Sequence, residues 1–168
     1  LNPSSAASDV YKRQAQASLQ RNPEIMTLGV DSHENISGDF DVILIGPGFS
    51  DNKWSKELSE CISLDAPYGL IIDAGALTYT KKIQSQNNKN LILTPHPGEA
   101  AALLGVSADE IQLNREDNAI DIAKKYNASA VVLKGHNTLV YINSEDKTFI
   151  CENGGPEPVS YTHLRAHE

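Results

Sequence analysis

The sequence is short of several features that mark whole classes of protein. It has two cysteines in 168 residues, Cys61 and Cys151, too few for a disulfide framework and without the spacing of a zinc site. We expect both to be reduced and structural. No apolar stretch approaches the roughly 20 residues that span a bilayer. The sequence therefore predicts no membrane partner and a cytoplasmic location.

Positive charge is also scarce. The chain has 14 lysines and arginines against 22 aspartates and glutamates, which gives a net charge of −8. Nonspecific binding to nucleic acid needs a basic face. We therefore predict no nucleic-acid partner, and the length fits one domain with its own core.

Short apolar runs separated by helical segments make up much of the chain. The runs are continuous and β-branched, as expected of strands buried on both faces of a parallel sheet: 41–45, 69–72, 91–93 and 130–133. Two intervening segments have apolar residues at helical spacing. One expected face holds Trp54, Leu58, Cys61 and Ile62, and the other holds Ala119, Ile120, Ala123 and Tyr126. This alternation predicts an open α/β sheet with right-handed crossovers.

Glycines and polar residues follow the predicted strands. In open α/β sheets, ligands bind beyond the carboxyl ends of the strands. We therefore predict one shared site at that edge, built from Gly46, Gly48, Asp73, His96, Glu99, Lys134 and Thr138.

The most specific segment is residues 94–99, Thr-Pro-His-Pro-Gly-Glu. Pro97 suits the first turn of a helix, which we predict over residues 97–104 with Gly105 as its stop. Free N–H groups at the helix start, with His96 and Glu99 beside them, would suit phosphate or a metal-bound phosphate. The alternative is that His96 is only a helix N-cap and the prolines only a rigid turn.

Four motifs in order resemble one known family. They are Ile-Gly-Pro-Gly-Phe (45–49), Ile-Asp-Ala-Gly-Ala-Leu (72–77), Leu-Thr-Pro-His-Pro-Gly-Glu-Ala-Ala-Ala-Leu-Leu-Gly (93–105) and Val-Leu-Lys-Gly-His-Asn-Thr (132–138). Over roughly residues 15–156 the chain is similar to the ADP/ATP-dependent NAD(P)H-hydrate dehydratases, which repair hydrated NADH and NADPH. The resemblance implies a ribokinase-like, three-layer α/β fold with a mainly parallel central sheet, incomplete at both ends.

The resemblance also implies roles for particular residues. Gly48 and His96 would lie near the hydrated nicotinamide, and Glu99 would organise Mg²⁺ and phosphate through water. ADP or ATP would meet a run of five residues: Lys134, Gly135, His136, Asn137 and Thr138.

Simpler interpretations remain open for four of these positions. Gly48 could belong to a plain βα turn, and Glu99 could only stabilise a helix dipole. Lys134 could be a solvated lysine at a strand end. Asp73 is either a polar orienter at the site or a turn residue.

The chain departs from the family pattern at two places. Gly75 stands where the family often has aspartate, and Phe49-Ser50 stands where it often has Leu-Gly. We expect these changes to alter a polar contact or the path of the loop.

The catalytic base of the family is expected in a Gly-x-Gly-Asp segment. Asn153-Gly154-Gly155-Pro156 matches the approach to that segment, but no Gly-x-Gly-Asp follows. We therefore expect residues 15–156 to be an internal fragment without its base, flanked by non-native tails at 1–14 and 157–168. The alternatives are a ribokinase-like small-molecule kinase, such as a vitamin-precursor kinase, and a non-catalytic nucleotide-binding fragment. The oligomeric state is open, with a homo-oligomer among the options.

Overall fold

A six-stranded sheet organises the computed structural model, which describes residues 41–61, 69–83 and 90–151. The strands lie in chain order: β1 Val42–Ile45, β2 Gly69–Ile72, β3 Leu91–Leu93, β4 Ala130–Leu133, β5 Thr138–Ile142 and β6 Lys147–Cys151. The first four are parallel, whereas β5 and β6 are antiparallel to their neighbours. Only four residues separate β4 from β5, too few for the crossover that a parallel pair would need. The predicted α/β fold with a mainly parallel sheet is confirmed.

Helices fill the connections between the parallel strands. They are α1 Lys53–Cys61, a 3₁₀ helix Ala74–Tyr79 that runs into α2 Thr80–Ile83, α3 Pro97–Leu104, α4 Ala108–Leu113 and α5 Arg115–Tyr126. The predicted bounds of α3 are confirmed, including Gly105 as its stop, which has the left-handed backbone conformation that suits glycine. No helix in these described ranges is both long and apolar enough to cross a membrane.

The core lies against one face of the sheet. Alternate strand residues point to this face and are buried: Leu70, Ile72, Leu91, Leu93, Val131, Leu133, Leu139 and Tyr141. The expectation that the strands are buried on both faces is wrong: on the second face Ile71, Ile92 and Val132 are only half-buried, and in β1 Val42 is 52% and Leu44 57% exposed. β1 pairs only with β2 in the described sheet, so fewer neighbours cover it.

The buried face of α1 also differs from the prediction. Ser55 and Ser59 are buried beside Leu58, whereas Trp54 is 41% exposed. The serine hydroxyls are satisfied locally, since Ser55 Oγ accepts from the N–H of Ser50 and Ser59 Oγ donates to a carbonyl within the helix. Small satisfied hydroxyls cost little to bury. Neither the side chain of Cys61 nor Ile62 falls among the described residues.

The predicted face of α5 is largely confirmed. Ala119, Ala123 and Tyr126 are buried, but the isoleucine that joins them is Ile122 and not Ile120. The predicted tails at 1–14 and 157–168 lie outside the described residues, so their boundaries stay predictions.

Candidate functional site

Four polar side chains meet at the carboxyl edge of the parallel strands. Asp73 follows β2, His96 and Glu99 follow β3, and Lys134 follows β4; we call these four residues the edge cluster. Lys134 Nζ lies 2.5 Å from Asp73 Oδ1 and 3.9 Å from Glu99 Oε2, and His96 Nε2 lies 3.4 Å from Glu99 Oε1. Parallel strands end at the same edge, which explains how residues far apart in sequence form one chain of contacts.

His96 is the N-cap of α3. Its Nδ1 accepts from the N–H groups of Gly98 and Glu99, at 3.0 and 3.2 Å, while Glu99 Oε2 accepts from the His96 N–H at 2.8 Å. These reciprocal bonds form a capping box. Because Nδ1 accepts two hydrogen bonds, the proton of the neutral ring belongs on Nε2, which faces Glu99. The N-cap interpretation is therefore observed, and contact of His96 with a substrate stays a prediction.

The glycine of the same motif leaves room for this cap. A Cβ at Gly98 would lie 2.9 Å from His96 Cε1, because the imidazole folds back over the first turn. Pro97 occupies the first helical position, where its missing N–H costs nothing. Residues 96–99 are thus accounted for in large part by the start of one helix.

The backbone before the cap joins neighbouring strands. The N–H of Thr94 donates to the Ile72 carbonyl at 3.1 Å, and the N–H of Lys134 donates to the Pro95 carbonyl at 2.9 Å. Pro95 itself is fully buried. Residues 94 and 95 therefore fix the ends of β2 and β4 on either side of β3.

Asp73 is a turn residue that also pairs with Lys134, and its role in orienting a ligand stays a prediction. One oxygen, Oδ1, caps the 3₁₀ helix by accepting from the Ala74 N–H at 2.8 Å, and it also pairs with Lys134. Partial burial acts to raise the pKa of Asp73, but hydrogen bonds from Lys134, Thr94 and the Ala74 N–H, with the charge of Lys134, outweigh it. The pKa of Asp73 therefore lies below its usual value, and the carboxylate is ionised at neutral pH.

The glycine loop after β1 lies against the same edge. A Cβ at Gly46 would lie 1.7 Å from the Asp73 carbonyl oxygen, whereas one at Gly48 would meet nothing within 4 Å. Both glycines have positive φ, +133° and +84°. The loop therefore approaches Asp73 closely at Gly46 and leaves open space at Gly48, where a substrate was predicted.

The two departures from the family pattern are in direct contact. A Cβ at Gly75 would lie 2.2 Å from the carbonyl oxygen of Phe49. The Phe49 ring packs against Trp54 and Tyr79, with centroids 5.8 and 6.4 Å apart. An aspartate at position 75 is therefore incompatible with this path of the loop.

The loop between β4 and β5, residues 134–137, presents an exposed turn. Gly135 and Asn137 have φ of +136° and +58°, and both are exposed, as is His136. Thr138 closes the turn through its Oγ1, which donates to the Gly135 carbonyl at 3.2 Å. The structure thus places all five predicted nucleotide-binding residues beside the edge cluster, joined to it by Lys134.

Sequence reasoning missed Arg115, whose guanidinium donates to carbonyl groups of this loop. No motif marks it. The only available signal was a cation in the first turn of a helix, where the helix dipole disfavours positive charge.

Two further features bear on ligands. A groove of about 420 Å³ runs beside α3 and includes Lys81, Leu103 and Lys125, but it touches the edge cluster only through Glu99. Among residues 41–61, 69–83 and 90–151, no three His, Cys, Asp or Glu side chains are placed to hold a metal ion. The described part of the chain thus offers single carboxylates at the edge and no preformed metal cage.

A mainly parallel sheet with helices in its connections defines the class of open α/β proteins, in which ligands usually bind beyond the carboxyl ends of the strands. Comparison with known proteins gives the family. The family model described as NAD(P)H-hydrate dehydratase matches residues 9–159, and the chain belongs to this family.

Relatives from two bacterial species bear the family's names. The bifunctional NAD(P)H-hydrate repair enzyme of Coxiella burnetii is 38% identical over 116 residues, which cover 68% of this chain and 23% of the relative. The ADP-dependent (S)-NAD(P)H-hydrate dehydratase of Neisseria meningitidis is 33% identical over 138 residues, covering 79% and 46%. The chain thus spans less than half the length of these two relatives.

Solved structures share the fold. One is the ADP/ATP-dependent NAD(P)H-hydrate dehydratase of Bacillus subtilis co-crystallised with ATP and Mg²⁺, with a TM-score of 0.61 and 30% identity over 74% of this chain and 43% of that one. A second crystal of this enzyme, also soaked with CoA, gives a TM-score of 0.67 with 27% identity over 82% and 50%. The ribokinase-like fold implied by the resemblance is confirmed.

Proposed function

We propose that the carboxyl edge of this chain binds ADP or ATP with Mg²⁺ beside hydrated NADH or NADPH, and that it serves the dehydration of the hydrate. The observation that carries the proposal is the junction of the edge cluster with the exposed 134–137 loop through Lys134. That junction would supply both a cation and backbone donors for a phosphate.

The reaction converts a poor leaving group into a good one. The C6 hydroxyl of the hydrate attacks the terminal phosphorus, its proton passes to a base, and the P–O bond to the nucleotide breaks. Phosphate then leaves C6 with the bonding electrons, and loss of the neighbouring C5 proton restores the ring double bond. The protein's part is positioning and charge stabilisation, together with the base.

The charge of the edge cluster fits a nucleotide that arrives with its cation. Asp73 and Glu99 carry two negative charges against one on Lys134, so a bare phosphate would meet excess negative charge. Mg²⁺ usually keeps several waters and binds one or two carboxylates plus substrate phosphates. Glu99 fits such a role, and the ion would neutralise charge on the transferred phosphate.

Lys134 would exchange partners when a phosphate binds. Its side chain is 39% exposed, so its contact with Asp73 can open toward solvent without disrupting the core. Asp73 would then keep its bond to the Ala74 N–H and hold the strand end in place. We propose the same edge for the hydrate, with Gly48 allowing close approach and His96 donating through Nε2.

The test is a binding and turnover assay with one matched control. We expect Lys134→Met to raise the Kd for Mg·ADP on the order of tenfold, because a charged hydrogen-bond donor is lost. Lys124→Met removes the same charge from an exposed position of α5 and should leave the Kd unchanged. Equal affinity of both variants and wild type would reject the role of Lys134.

His96 needs a variant that separates its cap from substrate contact. Asparagine is as good an N-cap as any residue, so His96→Asn keeps the helix start but removes Nε2. We expect it to raise the KM for hydrated NADH with little change in thermal stability. An unchanged KM in this variant would leave His96 as a cap alone.

We propose further that these 168 residues turn over slowly by themselves, because no Gly-x-Gly-Asp follows Pro156. Loss of a positioned base costs on the order of a hundredfold to ten-thousandfold. A version extended past residue 156 to include such a segment should regain NADH absorbance from the hydrate and release free phosphate. Substantial turnover by residues 1–168 alone would show that the base lies elsewhere, and a retained phosphorylated product would favour a small-molecule kinase.

A further inference from the structure

Arg115 is the first residue of α5, yet its guanidinium reaches the 134–137 loop. Nη2 donates to the carbonyl oxygens of Leu133 at 2.9 Å and Asn137 at 3.3 Å, and it lies 3.5 Å from that of Lys134. Nη1 donates to Gln112 Oε1 at 3.1 Å. Nη2 thus connects Leu133, which directly precedes the loop, with Asn137, the last residue of the loop.

Helix formation does not account for an arginine at this position. The first turn of α5 contains Glu116 and Asp117, which suit the positive end of a helix dipole, whereas Arg115 opposes it. Partial burial lowers the pKa of Arg115 below its usual value. The cost of removing this charge from water is offset by hydrogen bonds to Gln112, to Leu133 at the end of β4 and to the loop.

Arg115 also explains why position 135 is glycine. A Cβ there would lie 3.0 Å from Arg115 Nη1, and φ is +136°, a conformation that residues with a side chain rarely adopt. The glycine therefore serves two needs at once, the shape of the turn and the space for the guanidinium.

The carbonyl directions determine where the loop's donors point. In a trans peptide the C=O and the following N–H point in opposite directions. The Lys134 carbonyl faces Arg115, so the Gly135 N–H points away from it. The Gly135 carbonyl faces Thr138 Oγ1, so the His136 N–H also points away from the turn. Within the described ranges, no acceptor binds either N–H, and both residues are exposed.

We propose that Arg115 is the positioning residue of the 134–137 loop: it binds the loop's carbonyl groups so that the N–H groups of Gly135 and His136 face an incoming nucleotide phosphate. Successive outward N–H groups form a concavity that binds anions. The loop-holding part stands on the contacts of Arg115 alone, and the phosphate part rests on the proposed function.

The test compares Arg115→Lys and Arg115→Ala with wild type in the 168-residue chain. Lysine keeps the charge, but its nitrogen lies one atom closer to the backbone and it has no second nitrogen to donate to Gln112. Lys124→Ala, on the exposed side of the same helix, is the control for loss of charge. Ligand-free amide exchange is followed at Lys134, whose N–H is bonded to the Pro95 carbonyl, and the Kd for Mg·ADP is measured by calorimetry.

We expect both Arg115 variants to exchange the Lys134 amide at least about tenfold faster and to raise the Kd on the order of tenfold, with the control unchanged. If Arg115→Ala does not fold, Arg115→Lys carries the test. Unchanged exchange would overturn the loop-holding role, and faster exchange with an unchanged Kd would overturn the link to phosphate. If wild type binds no nucleotide, the proposed function and the phosphate part fail together, while the exchange rates still decide the loop-holding role.

Discussion

Two parts of the carboxyl edge are held in place in different ways. Residues 96–99 after β3 are fixed by their own neighbours, since every capping bond joins residues two or three apart in sequence. The loops after β1 and β4 depend on distant residues, with Gly46 packed on Asp73 and the 134–137 loop bonded to Arg115. The conformation of a segment fixed by its own neighbours can be predicted from the sequence. The conformation of a segment fixed by distant residues can be predicted only when the fold is known.

The largest effect is expected from disturbing the close contact between Gly46 and Asp73, which lie far apart in the sequence. Gly46→Ala would place Cβ 1.7 Å from a backbone oxygen of Asp73 at a φ of +133°, so the loop after β1 must move. We expect a loss of roughly 3 kcal/mol or more in the free energy of unfolding, measured with urea.

Gly48→Ala is the matched control for that variant, in the same loop. It shares the positive φ but meets nothing within 4 Å, so only backbone strain of about 1 to 2 kcal/mol is expected. Equal losses in the two variants would show that the contact with Asp73 contributes nothing.

A smaller effect is expected from removing the N-cap in residues 96–99, the segment that is fixed by its own neighbours. His96→Ala removes the N-cap of α3 and should cost about 1 kcal/mol of unfolding free energy, whereas His96→Asn should cost little. Amide exchange at Lys134 should stay as in wild type in both variants, because Arg115 holds the 134–137 loop and the acceptor of this amide, the Pro95 carbonyl, precedes the capped turn. Faster exchange at Lys134 would show that residues 96–99 and the 134–137 loop are coupled, and it would contradict the claim that they are held in place independently.

The smallest effect is expected from the ion pair that joins the two parts. The pKa of Asp73 is lowered in the folded chain, so its stabilisation is present above its ordinary value of about 4 and is lost as pH falls through the lowered pKa. The unfolding free energy of wild type should exceed that of Asp73→Asn by less than about 1 kcal/mol at neutral pH, as for other partly exposed pairs. That difference should shrink below about pH 4, and a difference that grows there would reverse the assigned direction.

This difference in how the parts are held decides what the sequence could predict. The bounds of α3 followed from Pro97 and Gly105, and apolar runs gave the first four strands, because both are local patterns. The buried serines of α1 are an exception: their partners, Ser50 and Lys56, are local, but a search for apolar residues at helical spacing does not mark serines. Arg115 was missed because its partners lie 18 to 22 residues away.

The site could be predicted only in part, because some of its contacts join residues that are far apart in the sequence. Its members could be gathered at one edge because parallel strands end together, which is a rule of the fold. The pairing of Lys134 with Asp73 spans 61 residues, and no spacing rule indicates it. Gly75 and Phe49 depart from the family pattern at separate places in the sequence, but they are in contact in the structure and form one feature.

The most direct test of the central claim is an amide chemical-shift titration of the 168-residue chain with Mg·ADP. We expect shifts at Glu99 and at Gly135 through Thr138, where the edge cluster meets the 134–137 loop. Amides at the opposite edge of the sheet, such as Asn127 and Asn143, should not move. Shifts confined to that opposite edge, or no shifts at millimolar nucleotide, would contradict the claim that this chain carries a nucleotide site at the carboxyl ends of its strands.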